Sequence, residues 1–98
     1  MSIGARILVV DDEAPIRRWL KVDLGTRGYA VDTAETGEQG IMAFENQRPD
    51  LLILDLLMPG MGGIEVVQKL RAVSTLPIIV LSAIGEEAQK VEALESGA

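Results

Sequence analysis

Three short runs of consecutive apolar residues divide the chain: Ile7-Leu8-Val9-Val10, Leu51-Leu52-Ile53-Leu54 and Ile78-Ile79-Val80-Leu81. Runs this short, rich in β-branched residues and bounded by polar residues or proline, suit strands covered on both faces in a parallel sheet. Tyr29-Ala30-Val31-Asp32-Thr33-Ala34 mixes apolar and polar positions instead, which predicts a less covered strand at a sheet edge. Between the strands the period lengthens to about 3.6 residues. Ile16, Leu20 and Leu24 recur every four residues with Trp19 beside them. Arg17, Arg18 and Lys21 fill the polar positions of this first helix, and Pro15 sits in its first turn, where a missing N–H does no harm. Thr36 and Gln39 have the spacing of a capping box and open a second helix, with Ile41 and Phe44 inward and Pro49 beyond its end. Ile64, Val66, Val67 and Leu70 predict a third helix after a glycine-rich turn; Ala88, Val91 and Leu94 predict a fourth that ends near Gly97.

Strands alternating with helices imply an α/β fold, a parallel sheet with helices on both faces, and right-handed crossovers leave few topologies. With the second strand at an edge, the natural order is 2-1-3-4. The strands start near residues 7, 30, 51 and 78, so 98 residues hold four βα units in one domain, 1–98. In this order the fourth strand lies at the other edge, although its composition is that of a strand with neighbours on each side. The expectation is therefore a fifth unit missing from the C-terminus, or another chain pairing along strand four to give a homo-oligomer.

The composition narrows the chemistry. The chain has no cysteine and no histidine, which excludes a disulfide framework, a thiolate nucleophile, an ordinary zinc site and a histidine base. Its net charge of −6 offers no basic footprint for direct contact with nucleic acid or an anionic membrane. No apolar run approaches a membrane span or a signal-peptide core, so the expected location is the cytoplasm.

Ligands of open α/β sheets collect at the carboxyl ends of the strands, where the strand order reverses, here between strands one and three. Strand one is followed by Asp11-Asp12-Glu13, strand three by Asp55 and strand four by Ser82. Singly, each has a plain structural reading: Asp11 or Asp12 as a helix cap, Asp55 as a turn residue, Ser82 as a turn hydroxyl. Together they are a poor choice for stability alone, since two like charges about 4 Å apart repel by about 4 kcal/mol at an effective dielectric of 20. A cation resolves the conflict. All-oxygen ligands with open positions suit Mg²⁺, with Mn²⁺ as a substitute, and a carboxylate beside such an ion can attack phosphorus. The usual phosphate loops, G-x-x-x-x-G-K-[ST] and G-x-G-x-x-G, are absent. Gly60, Gly62 and Gly63 read as a tight turn rather than a phosphate cradle, and Met58 and Met61 as loop packing.

Asp11-Asp12-Glu13 after a hydrophobic strand, Leu54-Asp55-Leu56-Leu57-Met58-Pro59-Gly60-Met61-Gly62-Gly63, and Leu81-Ser82-Ala83 together resemble the receiver domain of bacterial two-component response regulators, in particular those of the winged-helix, DNA-binding class. The resemblance covers nearly the whole chain. It implies a flavodoxin-like sheet in which Asp55 accepts a phosphoryl group from a sensor histidine kinase. It also implies that Asp12 and Asp55 ligate Mg²⁺ directly, that Asp11 acts through water, and that the main-chain carbonyl of Leu57 completes the protein ligands. Ser82 matches the switch hydroxyl, and phosphorylation would change the surface around helix four to control an output such as transcription, through a DNA-binding domain outside this chain. Such a domain is a phosphoacceptor and not an enzyme.

Members of that family also carry a lysine and an aromatic residue in a fifth strand. The chain ends at Ala98 without either, and Lys69 and Lys90, both inside predicted helices, do not match that lysine. Two other readings stay open at this stage. One is a scaffold that keeps the fold without phosphorylation; the other is a Mg²⁺-dependent aspartyl-phosphate phosphohydrolase of the haloacid dehalogenase type, against which the adjacent Asp11-Asp12 and the short chain argue.

Overall fold

The computed structural model describes residues 4–56, 58 and 60–81. The elements are β1 (Arg6–Val10), α1 (Ala14–Thr26), β2 (Ala30–Ala34), α2 (Gly37–Asn46), β3 (Leu51–Asp55), α3 (Gly63–Arg71) and β4 (Ile78–Leu81). All strand pairs are parallel and the order is β2-β1-β3-β4, as expected. The helix expected around Ala88, Val91 and Leu94 lies outside the described residues.

Strand periodicity divides the apolar runs between two cores. Leu8, Val10, Leu52 and Leu54 face α2 and α3, where they join Phe44, Val66, Val67 and Leu70. Ile7, Val9 and Ile53 face the other way and meet Leu20, with Ile16 and Leu24 against them. Consecutive residues of one strand therefore supply opposite layers, which is why the central runs contain no polar position. Met58 and Met61 pack into the α2–α3 layer, in keeping with a packing role.

The helix ends follow local chemistry. The Thr36 side chain accepts a hydrogen bond from the Gln39 amide at 3.1 Å, capping α2; the Gln39 carboxamide reaches back to the Glu35 amide at 3.2 Å, one residue earlier than the usual capping box. The N-cap of α3 is Gly62, which has an ordinary extended conformation and no side chain to cap with.

Two expectations change. Trp19 is not in the core but 65% exposed, because the buried stripe of α1 centres on Leu20 and leaves Trp19 at its rim. β4 is only partly covered by the described residues, with Ile79 half exposed, despite an apolar composition matching that of the central strands.

The adjacent Gly62 and Gly63 respond oppositely to a side chain. A Cβ on Gly63 would lie 2.5 Å from the Asp55 carbonyl oxygen, whereas at Gly62 the nearest atom is 3.9 Å away. Gly62→Ser should raise stability by a few tenths of a kcal/mol through capping, and Gly63→Ala should lower it by about 1–3 kcal/mol through overpacking; urea denaturation of the two variants measures both signs.

Candidate metal and phosphoryl site

The register of the two central strands assembles the site. Val10 lies beside Leu54, so the next residues, Asp11 and Asp55, emerge side by side at the carboxyl edge. Alternation turns both away from the α2–α3 core and toward α1. They border a cavity of about 260 Å³ with Glu13, Ile16, Trp19, Leu20 and Leu81. Trp19, misplaced by helical spacing alone, thus forms an apolar wall next to the acidic groups.

Asp11 and Asp55 are 4% and 9% exposed, the buried charged residues of the described structure. Asp12, on the loop, is exposed. Carboxylate oxygens of all three lie within 4.8 Å of one another. The sequence-predicted carboxylates therefore do converge. Leu57 and Ser82 lie outside the described residues. Lys69 is in the last turn of α3, where a cation suits the helix dipole, and Lys90 is also outside the described residues.

Asp11 is held closely. Its amide donates to the Ala34 carbonyl at 3.1 Å, and its Oδ1 accepts from the Glu13 amide at 2.8 Å. The N-cap residue of α1 is Glu13, which makes no side-chain cap, so Asp11 organises the helix entrance from two residues upstream. Asp11 is therefore not the helix cap itself; it braces the loop that leads into α1 while its carboxylate stands in the acidic cluster. Burial raises its pKa; the Glu13 amide opposes that shift, nearby Asp12 adds to it, and Arg17 opposes it.

The donor set fits a small hard cation. Mg²⁺ takes oxygen ligands at about 2.0–2.1 Å in an octahedron, which sets ligands about 3–4 Å apart. Three carboxylate oxygens within 4.8 Å of one another lie near that spacing, and Asp12 is the exposed member. Sequence reasoning missed Arg17, whose guanidinium donates to the Asp11 carbonyl oxygen at 2.8 Å. The available signal was a cation in the first turns of a helix, where the dipole disfavours it.

A cluster of three carboxylates at the point where a 2-1-3-4 parallel sheet reverses its strand order marks a candidate site, and comparison with known proteins gives the class of domain. The response regulator receiver domain model matches residues 7–98, and the chain belongs to that family. It is 49% identical over 92 residues to the transcriptional regulatory protein ResD of Bacillus subtilis, covering 94% of this chain and 38% of that protein. It is 48% identical over 92 residues to the transcriptional regulatory protein KdpE of Mycobacterium tuberculosis, covering 94% and 41%. The chain thus spans about two-fifths of the length of these relatives. Among solved structures, the chemotaxis protein CheY4 of Vibrio cholerae superimposes with a TM-score of 0.91 at 34% identity, covering 97% of this chain and 82% of that one. Among the described residues no helix is long and apolar enough to cross a membrane.

The raised pKa of Asp11 has a signed consequence. The folded chain holds this proton more tightly than the unfolded chain, so the contribution to stability is present below the ordinary aspartate range and is lost as pH rises through the raised value. Without divalent cations, Asp11→Asn should therefore raise the stability of the chain at pH 7, with the gain shrinking as pH falls. Urea midpoints from pH 4 to pH 7 in chelator measure it.

Proposed function

We propose that this chain is a phosphorylation-dependent switch in which Asp55 is the phosphoacceptor, as its family membership and the acidic cluster support. The observation that carries the reading is the convergence of Asp11, Asp12 and Asp55 at the point where the strand order reverses. The donor is a sensor histidine kinase. An Asp55 carboxylate oxygen forms the bond to phosphorus, the phosphorus–nitrogen bond to the donor histidine breaks, and the leaving imidazole is protonated. Bound Mg²⁺, or Mn²⁺ in its place, supplies neutralisation of the charge that gathers on the phosphoryl oxygens.

Asp55 ends its strand on a backbone packed against Gly63, which fixes the direction of its attack. Asp12 and Asp55 are the direct metal ligands, Asp11 acts through water, and the Leu57 carbonyl completes the protein set. Ser82 supplies the hydroxyl that turns toward the phosphoryl oxygens, and the altered surface around the fourth helix passes the signal to an output such as transcription. That output belongs to a DNA-binding domain outside this chain; the acidic receiver itself makes no direct contact with DNA. The setting is the cytoplasm, and beyond slow self-dephosphorylation the domain performs no turnover. Neither the scaffold nor the phosphohydrolase reading gains support from the comparisons, whose named relatives are transcriptional regulators.

Incubation with acetyl phosphate and Mg²⁺ should add one phosphoryl mass to the wild-type chain and none to Asp55→Asn, by intact mass spectrometry. A variant still modified to the wild-type extent would overturn the assignment. Among the described residues no strand lies outside β4, and the same reading assigns this edge to self-association. Sedimentation of the 98-residue chain should show a dimer or larger species that grows with concentration; a monomer throughout would refute the association.

A further inference from the structure

We propose that Arg17 is a positioning residue for the metal site, acting through the main chain of Asp11 and tied at its other end to the β2–α2 loop. The inference rests on the reading of the acidic cluster as a Mg²⁺ site. One guanidinium nitrogen, Nη1, donates to the Asp11 carbonyl oxygen at 2.8 Å. The other, Nη2, lies 3.6 Å from Oε2 of Glu35. The Arg17 side chain is 18% exposed and that of Glu35 58%, so the arginine end is held in the protein and the glutamate end is at its surface.

The cost of this placement indicates its purpose. Arg17 is the fourth residue of α1, where the positive end of the helix dipole disfavours a cation. It also stands near carboxylates expected to receive a divalent cation, which its charge repels. Its charge does favour the ionised form of Asp11 in the metal-free chain, but that benefit turns into a cost once a divalent cation occupies the cluster. What Arg17 provides is geometry, because a planar fork can reach two acceptors in fixed directions as an ammonium cannot. With the Ala34 carbonyl receiving the Asp11 amide and the Glu13 amide bound to Asp11 Oδ1, the Arg17 contact completes the restraint of Asp11. The loop is then held in place against the mutual repulsion of its carboxylates before any metal arrives.

Charge and geometry predict opposite outcomes. Removing a cation near the site should tighten Mg²⁺ binding if Arg17 acts by charge, and should weaken it if Arg17 holds the loop. Calorimetric titration of Mg²⁺ into the 98-residue chain should give Arg17→Gln a three- to tenfold larger Kd than wild type. Arg17→Lys, which keeps the charge without the fork, should recover only part of that loss, and Glu35→Gln should show a smaller weakening than either. In the metal-free chain, Arg17→Gln should accelerate hydrogen exchange at the Glu13 amide while strand amides of β1 and β3 keep their protection, which separates loop loosening from general unfolding. Unchanged or tighter Mg²⁺ binding by Arg17→Gln with those strand amides protected would overturn the proposal. A wild-type chain that takes up no Mg²⁺ would overturn the metal-site reading itself, and this inference with it.

Discussion

Parallel pairing of β1 with β3 is the constraint on which the rest depends. Because Val10 is registered with Leu54, two carboxylates distant in sequence must leave the sheet side by side, with Asp12 next to them. Their repulsion opposes this arrangement, and the apolar layers on each side of the central strands enforce it. Ile7 and Val9 are locked beneath α1 while Leu8 and Val10 are locked beneath α2 and α3. Slipping either strand by one residue would turn its whole apolar set over. The packing energy of the core thus holds like charges together at its edge, and a cation bound there would relieve that opposition.

Around this centre the loops act as restraints with different stiffness. Asp11 is bound through its amide, carbonyl and carboxylate, whereas Asp12 remains exposed and adjustable. Asp55 rides on backbone that leaves no space for a side chain at Gly63. A closely held pair with one exposed member suits the proposed role of the site, since any change in ligands would be absorbed by the residue least fixed by the fold.

Much of this was legible from the residues. Uninterrupted apolar runs identified the central strands because no solvent-facing position had to be polar, and the strand order followed from the weaker pattern at Val31-Asp32-Thr33. The three aspartates could be gathered into one site because a parallel sheet sends all its carboxyl ends the same way. Trp19 was less legible: helical spacing gives the direction of an apolar stripe but not its width, and the stripe through Ile16, Leu20 and Leu24 leaves Trp19 at its rim. Ile79 misled in a similar way, since composition reports what a strand can bury and not what lies beside it. Arg17 was read as a polar-face residue, as most arginines at such positions are, because its contact with the Asp11 carbonyl depends on how the chain turns at residues 11–13. No periodicity encodes that turn.

The central position of β1 has a consequence for the order in which the protein is made. β1 is synthesised before both of the strands that flank it in the finished sheet, β2 and β3, so one of its edges stays unsatisfied until translation has passed residue 55. At about 5–20 residues per second, the nascent chain carries the sticky segment Ile7–Val10 uncovered for several seconds. Chaperone capture in that interval, and aggregation when capture fails, are hazards set by topology rather than by the stability of the completed domain.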